Sequence, residues 1–326
     1  MDISAAIQEY LLCKENALTH DTYHWYQWIL GVFEKWCKQQ GLLDLKDITP
    51  GVVQHFVSAE PSLSENTKHH RAQVVKGFLR WCAEDDMGVR EKTVKRIEMP
   101  KVSQPEVEIF TNAQIRRLLE ACARTRYPLR NRAILLLLLD TGIRAAECCF
   151  DNERPEERTG LLLENVVIGT RGSESYIIIM GKGRKLRTVK IGRETRLALQ
   201  KYINHERPRT DHSYVFVAMG GSPFAVHGLQ TMLSGLGEST HIENVHPHRF
   251  RHTFAINQLL AGTSPFVLMQ LLGHSSLEAT KVYLRALTQM QARQASVSVV
   301  DEFWKAPRED EGMRARMRKA GNVNNL

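Results

Sequence analysis

The chain has 326 residues, enough for about two domains, and 43% of them are hydrophobic, so a sizeable core can be buried. The apolar run at 134–139 is far too short to span a bilayer, and the first residues lack the charged-then-apolar pattern of a secretory signal. A net charge of +8 and a pI of about 9.2 suit an anionic polymer such as nucleic acid, although charge alone fits any basic soluble protein as well. The six cysteines, at 13, 37, 82, 122, 148 and 149, form no CxxC pair and read as reduced, mostly buried thiols in a cytoplasmic protein.

In chain order, residues 1–97 read as four or five helices. Tyr26, Ile29, Leu30, Phe33, Trp36 and Cys37 repeat at helical spacing, with Asp21 or Thr22 as the expected cap. Thr49-Pro50 starts a helix with Val52, Val53, Phe56 and Val57 on its apolar face. Ser62 and Glu65 have capping-box spacing, and Val74, Val75, Phe78, Leu79 and Cys82 line the helix after them. Residues 98–110 hold two prolines without helical periodicity and are the expected linker. A second domain, 111–295, opens on the capping box Thr111 with Gln114. It continues with a buried helix at 130–140 closed by Gly142 and a β-hairpin of 176–180 and 186–191 turning at Gly181-Lys182-Gly183. Helices are expected around 193–204, 226–235, 247–261, 265–272 and 277–290, with Pro247 and Pro265 in first turns and Gly262 at a C-terminal cap. A basic tail, 296–326, follows, and no internal repeat is visible.

Five short segments carry chemistry: TGIRAAE (141–147), GKGRK (181–185), HPHRFRHTFA (246–255), LGHSS (272–276) and TKVY (280–283). Singly, each residue has an ordinary structural reading, such as a surface arginine, a hairpin lysine, a loop histidine or a core tyrosine. Together, two arginines, two histidines, a lysine and a tyrosine fall at element ends, where packed scaffolds position functional groups. They are what metal-free phosphodiester cleavage needs. Arginine forks grip phosphate oxygens and offset charge in the transition state, and histidine shuttles protons near neutral pH. Lysine can protonate a leaving oxygen if its pKa is lowered. A tyrosine hydroxyl can attack phosphorus, but an unperturbed pKa of about 10 means it needs help.

These motifs, TGxRxxE, GKGxKxR, HxxR followed by His, LGH and the late tyrosine, resemble in order and spacing those of the tyrosine recombinase, or phage integrase, family, over roughly the 270 residues up to Tyr283. The resemblance implies a mainly α fold with a small β-sheet. An N-terminal helical core-binding domain and a mixed α/β catalytic domain would form a C-shaped clamp on DNA. It implies that Arg144, Lys182, His248, Arg251, His274 and Tyr283 are catalytic, with Tyr283 the nucleophile and Lys182 the general acid. Glu147 and His252 would support the site, and Arg184, Lys185, Arg187 and Arg249 would bind DNA. The implied reaction is site-specific recombination through a 3′-phosphotyrosine link and a Holliday junction, with no metal or other cofactor. The implied partners are double-stranded DNA bearing a specific core site, further copies of the chain in a tetramer on two sites, and accessory DNA-bending proteins, with no membrane. The core-binding helices start almost at once, so no separate arm-type DNA-binding domain is expected.

One segment departs from the family pattern. Residues 148–159, CCFDNERPEERT, with a net charge of −2, intervene before Leu161-Leu162-Leu163 and are expected to form an exposed loop, or alternatively a partner contact. A zinc site at His246, His248 and His252 is disfavoured by the arginines among them. The glycines at 181 and 183 do not complete a P-loop. An Xer-type dimer resolvase and a type IB topoisomerase-like enzyme remain alternatives to a mobile-element integrase.

Overall fold

In the computed structural model, which describes residues 1–102, 106–153, 159–169, 173–181 and 186–295, the N-terminal unit (Met1–Pro105) contains five α-helices among the described residues. Asp2 accepts the Ala5 N–H and starts α1 (Ile3–Lys14), which buries Ile3, Ala6, Ile7, Tyr10 and Leu11 along one helical stripe. Helix α2 (His20–Gln39) begins before Asp21 and Thr22, so neither is its cap, and the Thr19 hydroxyl at the cap position bonds Thr22 instead of the backbone. Thr49 caps α3 (Pro50–Ser58), as its Thr-Pro start predicts. Ser64, not Ser62, caps α4 (Glu65–Glu84), because its hydroxyl is the one that reaches the Thr67 N–H. Helix α5 (Glu91–Lys95) follows. The core closes on aromatic edges, with Tyr10 against Phe78 at 5.5 Å and Phe33 against Phe56 at 5.0 Å.

The segment 98–110, expected as a linker, is tied down at both ends. The carbonyls of Glu98 and Pro100 are bonded to Gln54 and His69 in the first unit. In the second unit, Phe110 is buried, and its N–H donates to Thr253 Oγ1 at 2.9 Å. The apolar side chains of Val107, Ile109 and Phe110 explain why the chain packs here despite its prolines.

The second unit (Glu106–Leu326) opens with α6 (Asn112–Cys122), started by the reciprocal Thr111–Gln114 capping box. Helix α7 (Pro128–Thr141) is apolar around most of its circumference. Ala133, Ile134, Leu135, Leu137 and Leu138 are fully buried between α9 (Arg193–His205) and α11 (Pro247–Leu260). The Glu206 carboxylate accepts the Leu129 and Arg130 N–H groups at its start. After the short α8 (Ala145–Cys148), an antiparallel sheet of order β1-β2-β3 forms from Val166–Val167, Ser175–Met180 and Leu186–Ile191. Ile177 faces Val189 across the hairpin, and these two, Ile179 and Ile191 form the buried face. The hairpin turn, 182–185, lies outside the described residues. The remaining helices are α10 (Val226–Thr240), α12 (Pro265–Leu272) and α13 (Glu278–Ala295). The tail, 296–326, also lies outside the described residues.

The segment read as an exposed loop begins inside the protein. Cys148, Cys149 and Asp151 are buried, and Phe150 exchanges backbone bonds of 3.0 and 2.9 Å with Phe224 and Val226. Two small apolar thiols and a phenyl ring provide the surface that pulls this stretch inward, while 154–158 lie outside the described residues.

Candidate active site

The site is assembled from helix ends. Helix α7 stops at Gly142, which takes the left-handed conformation (φ 60°), and α12 stops at Gly273 in the same way (φ 64°). Each turn exposes carbonyls at the negative end of a helix dipole. Arg251, on the second turn of α11 and only 4% exposed, donates from Nη1 to Gly142 O and from Nη2 to Leu272 O, both at 2.7 Å. One guanidinium thus joins the ends of two helices, which offsets the cost of burying its charge. Burial, with Arg144 nearby, still lowers its pKa to about 10.

Gly142 is required for a second reason. A Cβ there would fall 2.4 Å from the Phe254 ring. Gly142→Ala is expected to cost roughly 2–4 kcal/mol of stability, from left-handed strain plus overpacking. Urea unfolding checks this against Gly262→Ala, where φ is also positive but nothing lies within 4 Å. Equal losses in the two variants would show that the Phe254 contact carries no weight.

Arg144 follows Gly142 and Ile143, at the cap position of α8. Glu147, three residues on, accepts the Arg144 N–H at 2.7 Å and its Nη1 at 3.0 Å. The TGxRxxE spacing is therefore a helix-capping geometry that fixes the arginine's backbone. The Arg144 side chain also reaches Gly273 O at 3.3 Å and, at 37% exposed, remains open to a ligand.

Arg187 on β3 was expected to contact DNA, and in the structure its side chain is engaged inside the protein. Its side chain is 11% exposed and grips Glu147 in a bidentate fork of 2.8 and 2.7 Å, with Nε on Leu271 O at 2.9 Å. Burial pushes the Glu147 carboxyl up, but bonds and charge from Arg187 and then Arg144 outweigh it and hold the pKa below the usual value. Glu147 stays ionised and clamps both arginines. Arg249 was likewise expected at the DNA and is likewise internal. It is 7% exposed, stacks 4.2 Å over the Phe110 ring, and donates to the carbonyls of Glu243 and Ile109. Lys182, Arg184 and Lys185 lie outside the described residues.

Proline at the first position of α11 places His248, Arg251 and His252 within its first two turns. Tyr283, on α13, is 4% exposed, and its hydroxyl lies 3.2 Å from His252 Nδ1. The His274 ring lies parallel to the Tyr283 ring with centroids 6.3 Å apart, and its Nδ1 is 2.9 Å from Thr280 Oγ1. The structure therefore brings Arg144, Glu147, His248, Arg251, His252, His274 and Tyr283 together. Thr280, which orients His274, escaped notice in the sequence. The available signal was its place in TKVY, three residues before the tyrosine and so on the same helical face.

The three histidines and the tyrosine are biased towards their neutral forms. Burial and then Arg251 and neighbouring cations lower His248 and take His274 down to about 4. Burial, with His248, His246 and Arg251, takes His252 to about 4. Burial raises the Tyr283 pKa, with Arg251 and Arg144 opposing it. A cluster of cations, uncharged imidazoles and a protonated phenol is suited to receive an anion.

The sequence pattern of the phage integrase family matches residues 108–290, more than half of the chain. The tyrosine recombinase XerC of Lacticaseibacillus casei (strain BL23) is 32% identical over 203 residues, covering 60% of this chain and 63% of the relative. XerC of Bacillus subtilis (strain 168) is 28% identical over 210 residues, covering 62% and 64%. The chain thus matches just under two thirds of the length of these relatives. Among solved structures, a XerH site-specific recombinase bound to a palindromic difH substrate gives a TM-score of 0.69 at 19% identity, covering 85% of this chain and 79% of that one. The Tn1549 transposon integrase in complex with circular intermediate DNA gives 0.67 at 19% identity, covering 87% and 95%. At these identities the structural likeness speaks for the fold. By its sequence pattern, its helical fold with a small sheet and its relatives, the chain belongs to the phage integrase family of tyrosine recombinases.

Proposed function

We propose that this chain is a site-specific DNA recombinase that cuts and rejoins DNA through a 3′-phosphotyrosine link at Tyr283. The observation that carries the reading is the convergence of the Tyr283 hydroxyl with Arg251, Arg144 and three histidines held uncharged. In this reading Arg144, His248 and Arg251 hold the non-bridging oxygens of the scissile phosphate. Their charge stabilises the pentavalent transition state, and Glu147, itself held by Arg187, keeps Arg144 in register. The tyrosyl oxygen attacks phosphorus and the 5′-oxygen departs, protonated by Lys182. The phosphodiester is conserved in the protein link, so the reverse attack by a 5′-hydroxyl rejoins DNA without an energy source. Four copies on two DNA sites would exchange strands in two rounds through a Holliday junction, with accessory DNA-bending proteins as further partners and the cytoplasmic nucleoid as the place of action. Among the described residues, no helix is long and apolar enough to cross a membrane.

Resolution of the Xer type is a second reading, favoured by the XerC names of the relatives. The test is a supercoiled plasmid carrying two copies of the binding site, selected from random duplexes. Two product circles, with a site-free plasmid left supercoiled, support recombination. Relaxation of the site-free plasmid would point to a topoisomerase instead.

A further inference from the structure

We propose that His20 and His24 form a binding site for one divalent ion of the zinc, nickel and copper group, which staples the first turn of α2. Both residues lie in the N-terminal unit and neither is among the residues of the candidate active site, so the ion has no part in the strand transfer proposed above. His20 and His24 are the first and fifth residues of α2 and stand on one face, a turn apart. Their Nε2 atoms face each other at 3.1 Å, with ring centroids 4.3 Å apart and ring planes at 71°. Two imidazole nitrogens bound to one zinc ion at about 2.0–2.1 Å stand about 3.3 Å apart at the tetrahedral angle. At the right angle of a square-planar copper or nickel site they stand about 2.9 Å apart. The pair falls between these separations, so an ion enters with little movement of either ring.

The orientation of the second ring is fixed from behind. His24 Nδ1 lies 3.2 Å from Gln27 Oε1, three residues on. That oxygen can only accept, so Nδ1 carries the proton, and the uncharged ring keeps its lone pair on Nε2, aimed at His20. A ligating histidine ordinarily has this support, its other nitrogen donating to a carbonyl or carboxylate. His20, His24 and Gln27 are all exposed, so an ion reaches them from solvent. Among the described residues no group of three or more His, Cys, Asp and Glu side chains is placed to hold an ion, so water completes the coordination.

The start of α2 lacks another fastening. Thr19 stands at the cap position, but its hydroxyl meets Thr22 Oγ1 at 2.9 Å and makes no bond to a first-turn N–H. A metal bridge between the first and fifth residues holds the turn closed by a different route. The same position selects the ion. The positive end of the helix dipole opposes a dication, and magnesium and calcium, which prefer oxygen ligands, gain too little from imidazole to overcome it. Zinc, nickel and copper bind imidazole more strongly. Without the ion, one Nε2 keeps its proton and the pair is an imidazole–imidazole hydrogen bond, so binding releases that proton.

The experiment uses the full chain without an affinity tag. Zinc chloride is titrated calorimetrically into wild type, His20→Gln, His24→Gln and Gln27→Ala, with magnesium chloride as the control. Other histidines can also take zinc, so the readout is the difference between wild type and each variant. Wild type should bind one more zinc ion per chain than either histidine variant. Gln27→Ala should keep that site with its affinity lowered about tenfold or more. Hydrogen–deuterium exchange locates the effect. Zinc should slow the amides of residues 23–28 by about tenfold or more in wild type and leave them unchanged in His24→Gln. The substituted side chains are exposed, and circular dichroism verifies that each variant keeps the wild-type fold. Equal zinc stoichiometry and affinity in wild type and His24→Gln would leave only the imidazole hydrogen bond and overturn the proposal. So would zinc binding that does not alter exchange at 23–28, or magnesium bound as tightly as zinc. No DNA enters these measurements, so their outcome is separate from that of the strand-transfer reading.

Discussion

Tyr283→Phe is expected to abolish covalent attachment to DNA while leaving binding within a few-fold of wild type. The ring is buried against Phe254 and Leu272 in the cluster that joins α11, α12 and α13, and phenylalanine preserves that packing. The hydroxyl's bonds, to His252 and to the Arg251 side chain, are worth about 1 kcal/mol each, so the variant should fold. What disappears is the attacking oxygen, and no rearrangement of the neighbouring imidazoles replaces it. A nicked suicide duplex traps the product, because the short 5′-fragment diffuses away and cannot religate. A DNA-linked band from the Phe variant on a denaturing gel would remove Tyr283 from the reaction.

Arg251→Lys should lower single-turnover cleavage by about a hundredfold to a thousandfold, the range found when one preorganised transition-state donor is removed. An ammonium group cannot span the Gly142 and Leu272 carbonyls and still present a planar fork to phosphate. The same change should lower the thermal midpoint, because it leaves buried carbonyls at two helix ends without their shared donor. Arg144→Lys is a useful contrast. Arg144 is more exposed and its backbone is held by Glu147, so cleavage should fall comparably while the midpoint moves less. Cleavage by Arg251→Lys near the wild-type rate would mean that this guanidinium only ties helices together.

The two arginines explain why part of the site is legible in sequence and part is not. Gly142 and Gly273 end helices by a local rule, and Glu147 caps Arg144 by i,i+3 spacing, so the segments holding these residues stand out as motifs. The Thr111–Gln114 box, the Thr49-Pro50 start and the β-hairpin are equally local, and the fold confirms them. The sequence says least where tertiary context decides. A cation in a basic protein reads naturally as a DNA contact, but Arg187 and Arg249 are paid out to Glu147 and Phe110, partners 40 and 139 residues away in the chain. The two-residue strand β1 is too short to show alternation. Cys148 and Cys149 are buried, and Phe150 is bonded to Phe224 and Val226 more than 70 residues later, which no local reading of a polar stretch reveals. The link between His252 and Tyr283 is likewise long-range, fixed by helix packing and not by either motif.

The neutral histidines tie these features to function. Arg144, Arg187 and Arg251 surround the site with positive charge, and a histidine that became protonated there would add repulsion. In the proposed reaction an entering phosphate would reverse that balance and ready the groups that move protons.

The most direct measurement is to locate the covalent bond. Wild-type protein is trapped on a nicked duplex carrying its selected site, the DNA is trimmed by nuclease, and the tryptic peptides are sequenced by mass spectrometry. The account requires a 3′-phosphonucleotide on Tyr283, in the peptide that follows Lys281. An adduct on any other residue, or efficient strand cleavage with no adduct at all, would contradict it.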